Sequence, residues 1–184
     1  MKRLKIALLS YRSKPFSGGQ GIYVKYLSKA LQKLGHEIDV FSGPPYPDLD
    51  PEVNLVKIPS LGLYEKKSKF YDVNFSQLLN PINLFEWLSV NSGGFPEPYT
   101  FGKRLKRALK KEYKEYDVIH DNQSLAYELL FFQNKKPLVT TIHHPISMDL
   151  AYQLGSTNDF FLKLLMRRSV SYTHLTLPTS SQVV

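Results

Sequence analysis

The chain has 184 residues and a formal net charge of +8 at pH 7, with 42% hydrophobic and 22% charged residues. This length and composition predict one well-buried globular domain and leave too few residues for two complete α/β domains. No apolar run approaches the roughly 18 residues of a transmembrane helix, and the short apolar run near the start is not followed by a signal-peptide cleavage site. Cysteine is absent, which excludes disulfides, thiol catalysis and cysteine-based zinc sites and fits a cytoplasmic protein.

Strand and helix patterns alternate along the first 60 residues. Residues 5–10 form a compact apolar run, which predicts a strand buried on both faces. After a loop, apolar residues recur every three or four positions from 22 to 34 and predict a helix that ends at Gly35. Strands are expected over 37–41 and 53–58. The first two strands and their helix predict a right-handed βαβ unit with parallel strands.

The alternation resumes after an irregular segment over 61–99, which is rich in aromatic residues and asparagine and in which we expect one short helix near 84–90. The later predicted elements are a helix over 101–116, a strand over 117–120, a helix over 124–132 with Ser124 as its N-cap, a strand over 137–143 and a helix over 159–168. This order predicts an α/β fold with a doubly wound parallel sheet.

Glycine-rich or polar residues follow four of the predicted strands. These segments are residues 16–21, 42–44, 120–123 and 143–145. The carboxyl ends of parallel strands meet at one edge of the sheet, and ligands bind beyond that edge. We therefore expect the four segments to converge on one site.

The first of these segments contains Gly18, Gly19 and Gly21 and precedes a helix. Backbone amides and the helix dipole at such an end favour a phosphate or carboxylate, and the missing Cβ atoms allow close approach. The alternative is a turn whose glycines serve conformation alone. The spacing is not that of a dinucleotide-binding site or a P-loop, and the second strand is not followed by the acidic residue of a dinucleotide site.

Two adjacent histidines, His143 and His144, end the last of these strands. Neighbours on a strand point to opposite faces, so the pair is not expected to bind one metal ion, and we predict no metal site. One of the two is expected to face the cleft as an acid, a base or a hydrogen-bond donor, with packing as the alternative. His120 is left open between the same two roles.

Much of the positive charge lies in one predicted helix. Its basic residues are Lys103, Arg104, Lys106, Arg107, Lys110, Lys111 and Lys114. They form either a solvated helix face or a surface attracted to anionic lipid headgroups. Nucleic-acid binding is not expected, because no nucleic-acid-binding motif accompanies the charge.

Residues 169–184 contain no Asp, Glu, Lys or Arg. The stretch 171–179 resembles a translated sequencing-adapter remnant, and the alternative is a native threonine-rich strand or loop. We expect this tail to be non-native or disordered and exclude it from the fold.

Several motifs together resemble the opening of glycosyltransferase family 4, whose members have the GT-B fold. They are residues 18–24, the helix and strand patterns over 27–40, residues 95–102, the Asp-Val-Ile-His of 117–120, residues 120–123 and the Thr-Thr-Ile-His of 140–143. The combination is specific although each motif alone is not, and it covers roughly residues 4–168.

The resemblance implies two Rossmann-like domains around a cleft, of which residues 1–168 are the acceptor-side N-terminal domain. The C-terminal, donor-binding domain is then absent, and the fragment is expected to be inactive alone. The implied activity is a retaining transfer of a hexosyl group from a nucleotide-diphosphate sugar to a carbohydrate or lipid-linked acceptor. No cofactor is expected. The alternatives are a non-catalytic α/β ligand-binding module and another GT-B enzyme, such as an epimerase or a phosphorylase.

The resemblance also implies roles for single residues. Gly18 and Gly19, in the loop that Gly21 completes, would approach the donor diphosphate, and His143 would lie near the transferred sugar. The remaining candidates for the cleft or the acceptor are Gln20, His120, Asp121, Asn122 and His144. A cytoplasmic protein that contacts anionic membranes through its basic helix is the corresponding expectation for location.

Overall fold

The structure is a computed structural model that describes residues 2–16, 19–68 and 72–143. In these residues a parallel five-stranded sheet is formed by β1 (Lys5–Ser10), β2 (Glu37–Ser42), β3 (Asn54–Lys57), β4 (Val118–Asn122) and β5 (Leu138–Thr141). The strands lie in the order β3-β2-β1-β4-β5, which confirms the predicted Rossmann-like sheet. The order reverses between β1 and β4, and sheets of this kind bind ligands beyond the carboxyl ends of the strands at that point.

The helices of the described residues are α1 (Gly19–Lys33), α2 (Phe75–Leu78), α3 (Pro81–Asn91), α4 (Glu97–Leu109) and α5 (Leu130–Gln133), with 3₁₀ helices at Leu63–Glu65, Tyr113–Glu115 and Tyr127–Leu129. The α1 side of the sheet buries Leu8 of β1 against Val24 of α1. The α4 side buries Leu9 of β1 with Leu105 and other residues. Both faces of β1 are therefore covered, as its continuous apolar run predicts.

The predicted helix over 101–116 has different bounds. α4 begins at Glu97, with Pro98 in its first turn, and ends at Leu109 before the 3₁₀ turn Tyr113–Glu115. Proline is favoured at the start of a helix because its fixed φ suits the first turn and its missing N–H has no partner there. After the 3₁₀ turn, the buried Tyr116 donates a hydrogen bond from its hydroxyl to Asp39 of β2 at 2.7 Å.

The predicted helix over 124–132, with Ser124 as its cap, is wrong in its first half. The Ser124 amide donates to Asp121 Oδ1 at 3.2 Å, and the amide of Leu125 donates to Asp121 Oδ2 at 3.0 Å. Gln123 and Leu125 take left-handed backbone angles, with φ of 53° and 48°. Side chains of this type compete with the helix by binding nearby amides, so the helical turns begin only at Tyr127.

The irregular segment contains the expected helix near 84–90, which is α3, and one more short helix, α2. Asn80 caps α3 by accepting a hydrogen bond from the amide of Ile82 at 2.9 Å, with Pro81 in the first turn. Asn74 and Gln77 form a capping box on α2. The predicted helix over 159–168 and the tail over 169–184 lie outside the described residues.

Candidate functional site

The described residues of the four segments expected to converge lie at one edge of the sheet. Ser10 of β1 pairs with Ser42 of β2, and Asn122 of β4 pairs with Thr141 of β5, at the carboxyl end of each strand. The loop after β1 joins this edge, because Ser13 donates a hydrogen bond to Ser10 at 2.8 Å between the two hydroxyl oxygens. This edge is the candidate site.

Gly19 and Gly21 lie in the first turn of α1 rather than in a loop before it, since α1 begins at Gly19. Amides in the first turn of a helix have no carbonyl partner within that helix, and the helix dipole adds partial positive charge there. A Cβ atom on Gly19 would meet no atom within 4 Å, so this position is open. Gly18 lies outside the described residues.

Gly21 has a structural role. A Cβ atom there would lie 2.0 Å from the backbone carbonyl oxygen of Lys14, so only glycine lets α1 pack against the loop after β1. Its neighbour Gln20 hydrogen-bonds the side chain of Tyr11. Burial, and next the negative charge of Glu97, raise the pKa of Tyr11.

His143 lies just beyond β5 and contacts two other segments. Its Nε2 lies 2.6 Å from Asn122 Oδ1, and its backbone N–H donates to Gln123 Oε1 at 2.9 Å. The edge of its ring also packs against Tyr23 of α1, with 4.7 Å between the ring centroids and an interplanar angle of 81°. The start of α1, the end of β4 and His143 are therefore brought together.

His120 lies on the same side of the sheet as His143, two residues after Val118. Its Nε2 is 2.8 Å from the Thr141 hydroxyl oxygen, which is also 3.4 Å from the Tyr23 hydroxyl. Burial lowers the pKa of His120 and favours the neutral ring. We call Tyr23, His120, Asn122, Thr141 and His143 the histidine cluster.

Asp121 does not have the cleft position expected for an acceptor-binding residue. It points to the opposite side of the sheet and is fully buried, where it binds the amides of Ser124 and Leu125. Burial raises its pKa to about 6, against the opposing effect of these hydrogen bonds. Its carboxyl group holds the loop after β4 in place. His144 lies outside the described residues.

The family model for "Glycosyltransferase Family 4" matches residues 17–184. The chain belongs to glycosyltransferase family 4. An MMP alpha-(1->4)-mannosyltransferase from Mycolicibacterium hassiacum is 43% identical over 182 residues, which are 98% of this chain and 44% of that protein. The chain thus spans less than half the length of this relative.

Two solved structures have partial similarity to this family-4 chain. LpCGTa in complex with UDP is 16% identical with a TM-score of 0.44, covering 84% of this chain and 33% of that one. The glycosyltransferase SnogD from Streptomyces nogalater is 17% identical with a TM-score of 0.39, covering 94% of this chain and 40% of that one. The family match includes residues 169–184, and the interpretation of this tail as an adapter remnant stays a prediction.

The sequence alone gave no role to Tyr23, although this residue lies within 18–24, one of the motifs that resemble the family. The signal is its place one helical turn after Gly19, which puts its ring at the end of α1 that faces the carboxyl edge of the sheet. Its contacts with His143 and Thr141 depend on where β5 lies and are not visible in the sequence.

A group of charged residues was also missed. Arg12 binds Glu65 in a very short contact and lies 3.6 Å from Glu97 Oε2, and Lys14 binds Glu65 at 3.2 Å. We call Arg12, Lys14, Glu65 and Glu97 the loop network, because it ties the loop after β1 to the 3₁₀ helix Leu63–Glu65 and to α4.

The basic helix is only partly a free charged surface. Lys103 pairs with the buried Glu128 at 2.8 Å, and Arg104 pairs with the buried Glu86 at 2.5 Å. Lys106 lies over the ring of Phe131. The exposed basic residues that remain are Arg107, Lys110, Lys111 and Lys114. The exposed basic surface is therefore this smaller set.

The described residues contain neither a metal-binding cluster nor a helix that could span a membrane. Across residues 2–16, 19–68 and 72–143, no three His, Asp or Glu side chains are grouped so that they could hold a metal ion. Within the same part of the chain, none of the helices has the length and apolar character that crossing a membrane requires.

Proposed function

We propose that this chain is the acceptor-side, N-terminal part of a retaining glycosyltransferase that transfers a mannosyl or related hexosyl group from a nucleotide-diphosphate sugar. Membership of glycosyltransferase family 4 supports the reaction class. The relative from Mycolicibacterium hassiacum, whose name describes α-(1→4) mannosyl transfer, supports the sugar. The acceptor is then a hydroxyl group of a carbohydrate or of a lipid-linked carbohydrate.

The reaction replaces one bond to the anomeric carbon of the donor sugar with another. The bond from this carbon to the diphosphate oxygen breaks, and a bond to the acceptor oxygen forms. The acceptor hydroxyl proton leaves with the diphosphate, so atoms and charge balance. Negative charge grows on the leaving diphosphate and on no other group, and a catalyst therefore needs hydrogen-bond donors at that oxygen.

One observation carries the proposal: the first turn of α1 and His143 meet at the carboxyl edge of the sheet, joined through Tyr23. The amides from Gly19 to Gly21 are the donors that suit a diphosphate, and Gly19 is open to its approach. An imidazole beside such a site can bind a hydroxyl group of the transferred sugar. Donor recognition by residues outside this chain completes the proposed enzyme, and the chain alone is then inactive.

Peripheral contact with an anionic membrane is a further part of this proposal. Exposed Arg107, Lys110 and Lys111 lie within five residues at the end of α4 and support it. Each such residue near an anionic bilayer contributes about 1 kcal/mol of binding free energy.

The test uses a full-length protein that contains this chain, with nucleotide-diphosphate mannose and glucose as donors and a panel of carbohydrate acceptors. His143→Ala is expected to lower turnover by about 100-fold while changing the acceptor KM only a few-fold, because the imidazole acts at the reacting sugar. His36→Ala, at the opposite edge of the sheet, is the matched control. Near-normal turnover of His143→Ala would contradict the role of this residue.

The same assay separates the alternatives. Nucleotide-sugar binding without transfer to any acceptor would support a non-catalytic ligand-binding module. Conversion of the nucleotide sugar without an acceptor would support an epimerase, and phosphate-dependent cleavage of a glycan would support a phosphorylase.

A further inference from the structure

Asn122 is the last residue of β4 and is fully buried, yet its side chain reaches an exposed histidine. Its Oδ1 is 2.6 Å from Nε2 of His143, which lies 21 residues further along the chain. A carboxamide oxygen can only accept a hydrogen bond, so the imidazole nitrogen that faces it must carry a proton.

We propose that Asn122 is a positioning residue that holds His143 in the tautomer protonated at Nε2. The lone pair of the neutral ring then lies on Nδ1, and any exchange of a proton or hydrogen bond with a sugar hydroxyl takes place at Nδ1. The choice of tautomer is a property of this chain. Its importance for catalysis rests on the proposed function.

Two more contacts fix the position of His143. The Gln123 side chain accepts the His143 backbone N–H at 2.9 Å, and the Tyr23 ring packs edge-on against the imidazole. Gln123 itself has a φ of 53°, a costly backbone angle for a residue other than glycine. The buried Asp121 stabilises the loop that follows by binding the amides of Ser124 and Leu125. The end of β4 and the loop after it thus hold both the ring and the main chain of His143.

The titratable neighbours of the imidazole in this cluster are Tyr23 from α1 and His120 from β4. His120 reaches the cluster through the Thr141 hydroxyl, and burial lowers its pKa, so that it stays neutral at neutral pH. An uncharged carboxamide selects a tautomer without favouring the charged form of an imidazole. An aspartate in the same place would do both.

The first test is the tautomer itself, measured by long-range ¹H–¹⁵N correlation spectra of the imidazoles in the 184-residue chain. His143 is assigned by comparison with His143→Gln. Well above its titration midpoint, His143 is expected to show a protonated Nε2 and an unprotonated Nδ1. His36 is an internal reference, because its Nδ1 accepts the Leu4 amide at 3.2 Å and its Nε2 must therefore carry the proton when neutral. A proton on Nδ1 of His143, or the mixture seen in free histidine, overturns the proposal.

The second test is Asn122→Asp, which replaces the neutral acceptor with a charged one of similar shape. The titration midpoint of His143 is expected to rise by about one pH unit, because an adjacent carboxylate favours the imidazolium. The midpoint of His36 should not move. An unchanged His143 midpoint in a folded Asn122→Asp protein means that the two side chains do not interact and also overturns the proposal. If this variant does not fold, the tautomer measured for His143 in the wild-type chain is the test of the proposal.

These readouts do not require catalysis. The expected tautomer in a protein that proves not to be a transferase would leave Asn122 as a positioning residue and remove the proposed function. The opposite outcome, active transfer with the wrong tautomer, would leave the proposed function and remove this inference.

Discussion

The two sides of the sheet differ in chemistry at its carboxyl edge. On the α1 side, the histidine cluster consists of hydrogen-bonded side chains without fixed charge, and it ends in the exposed His143. On the α4 side, buried carboxylates are paired with basic residues or with amides, as at Glu86 and Asp121. Breaking a buried ion pair is costly, whereas neutral hydrogen bonds contribute little each. We infer that the α4 side stabilises the edge, and the chemistry that we propose is assigned to the α1 side.

The largest effect is expected from breaking the ion pair on the α4 side. Arg104→Met leaves the carboxylate of Glu86, whose side chain is 1% exposed, without its cation. We expect the free energy of unfolding to fall by about 3–5 kcal/mol, measured by urea denaturation. Lys110→Met, on the exposed face beyond α4, is the control and should cost less than about 0.5 kcal/mol. Similar losses in the two variants would show that the buried pair is not a special source of stability.

Two glycines at the start of α1 differ in how closely their surroundings pack against them. Gly21→Ala places a Cβ atom against the Lys14 carbonyl and should lower the free energy of unfolding by about 2–3 kcal/mol. The added Cβ atom of Gly19→Ala meets no atom within 4 Å. This variant should leave the free energy of unfolding unchanged or raise it by up to about 1 kcal/mol. Thermal unfolding of both variants is the measurement. Equal destabilisation would mean that the start of α1 does not pack on this loop as the structure has it.

The buried Asp121 predicts a dependence of stability on pH. Its folded-state pKa of about 6 lies above the ordinary value of 3.8, so the folded chain binds this proton more tightly than the unfolded chain. The resulting stabilisation is complete below about pH 4 and is lost as the pH rises to about 6, by on the order of 2–3 kcal/mol.

Asp121→Asn should remove this loss, since an amide does not ionise. Urea denaturation of both proteins between about pH 4 and pH 6 tests the prediction, and parallel curves would contradict it. Asp50→Asn is a control of opposite sign, because hydrogen bonding to Lys29 lowers the pKa of Asp50.

The smallest effect concerns the basic end of α4. Reversing the charge of Arg107, Lys110 and Lys111 should weaken binding to phosphatidylserine vesicles by at least about tenfold, measured by co-sedimentation at low salt. Reversing Lys2 and Arg3, which are exposed elsewhere, is the control. If the two sets of reversals weaken vesicle binding equally per charge, the net charge of the protein alone explains the binding. Unchanged binding would show that these basic residues form a solvated helix face and do not bind the membrane.

The sheet could be predicted from the sequence because its strands are apolar runs separated by helical periodicity. Leu8 and Leu9 are buried on opposite faces of β1, and this two-sided burial is what such a run indicates. The convergence of the glycine segment with His143 could be predicted as well, since parallel strands place their carboxyl ends at one edge.

The rest depended on side chains that compete with local patterns. The helix predicted from Ser124 onward does not begin there, because Asp121 binds the amides that would have begun it. The burial of Asp121 and the contact of Tyr23 with His143 follow from how the elements pack, to which a single sequence gives no direct access.

Glu65 connects the segment over 61–99 to the loop after β1. It binds both Arg12 and Lys14, which lie on the loop that leads into α1. A chimera that exchanged this segment for that of a related protein would also exchange the anchor of that loop. Such grafts should keep a carboxylate at position 65, because without it the loop before α1 loses the ion pairs that its Arg12 and Lys14 make.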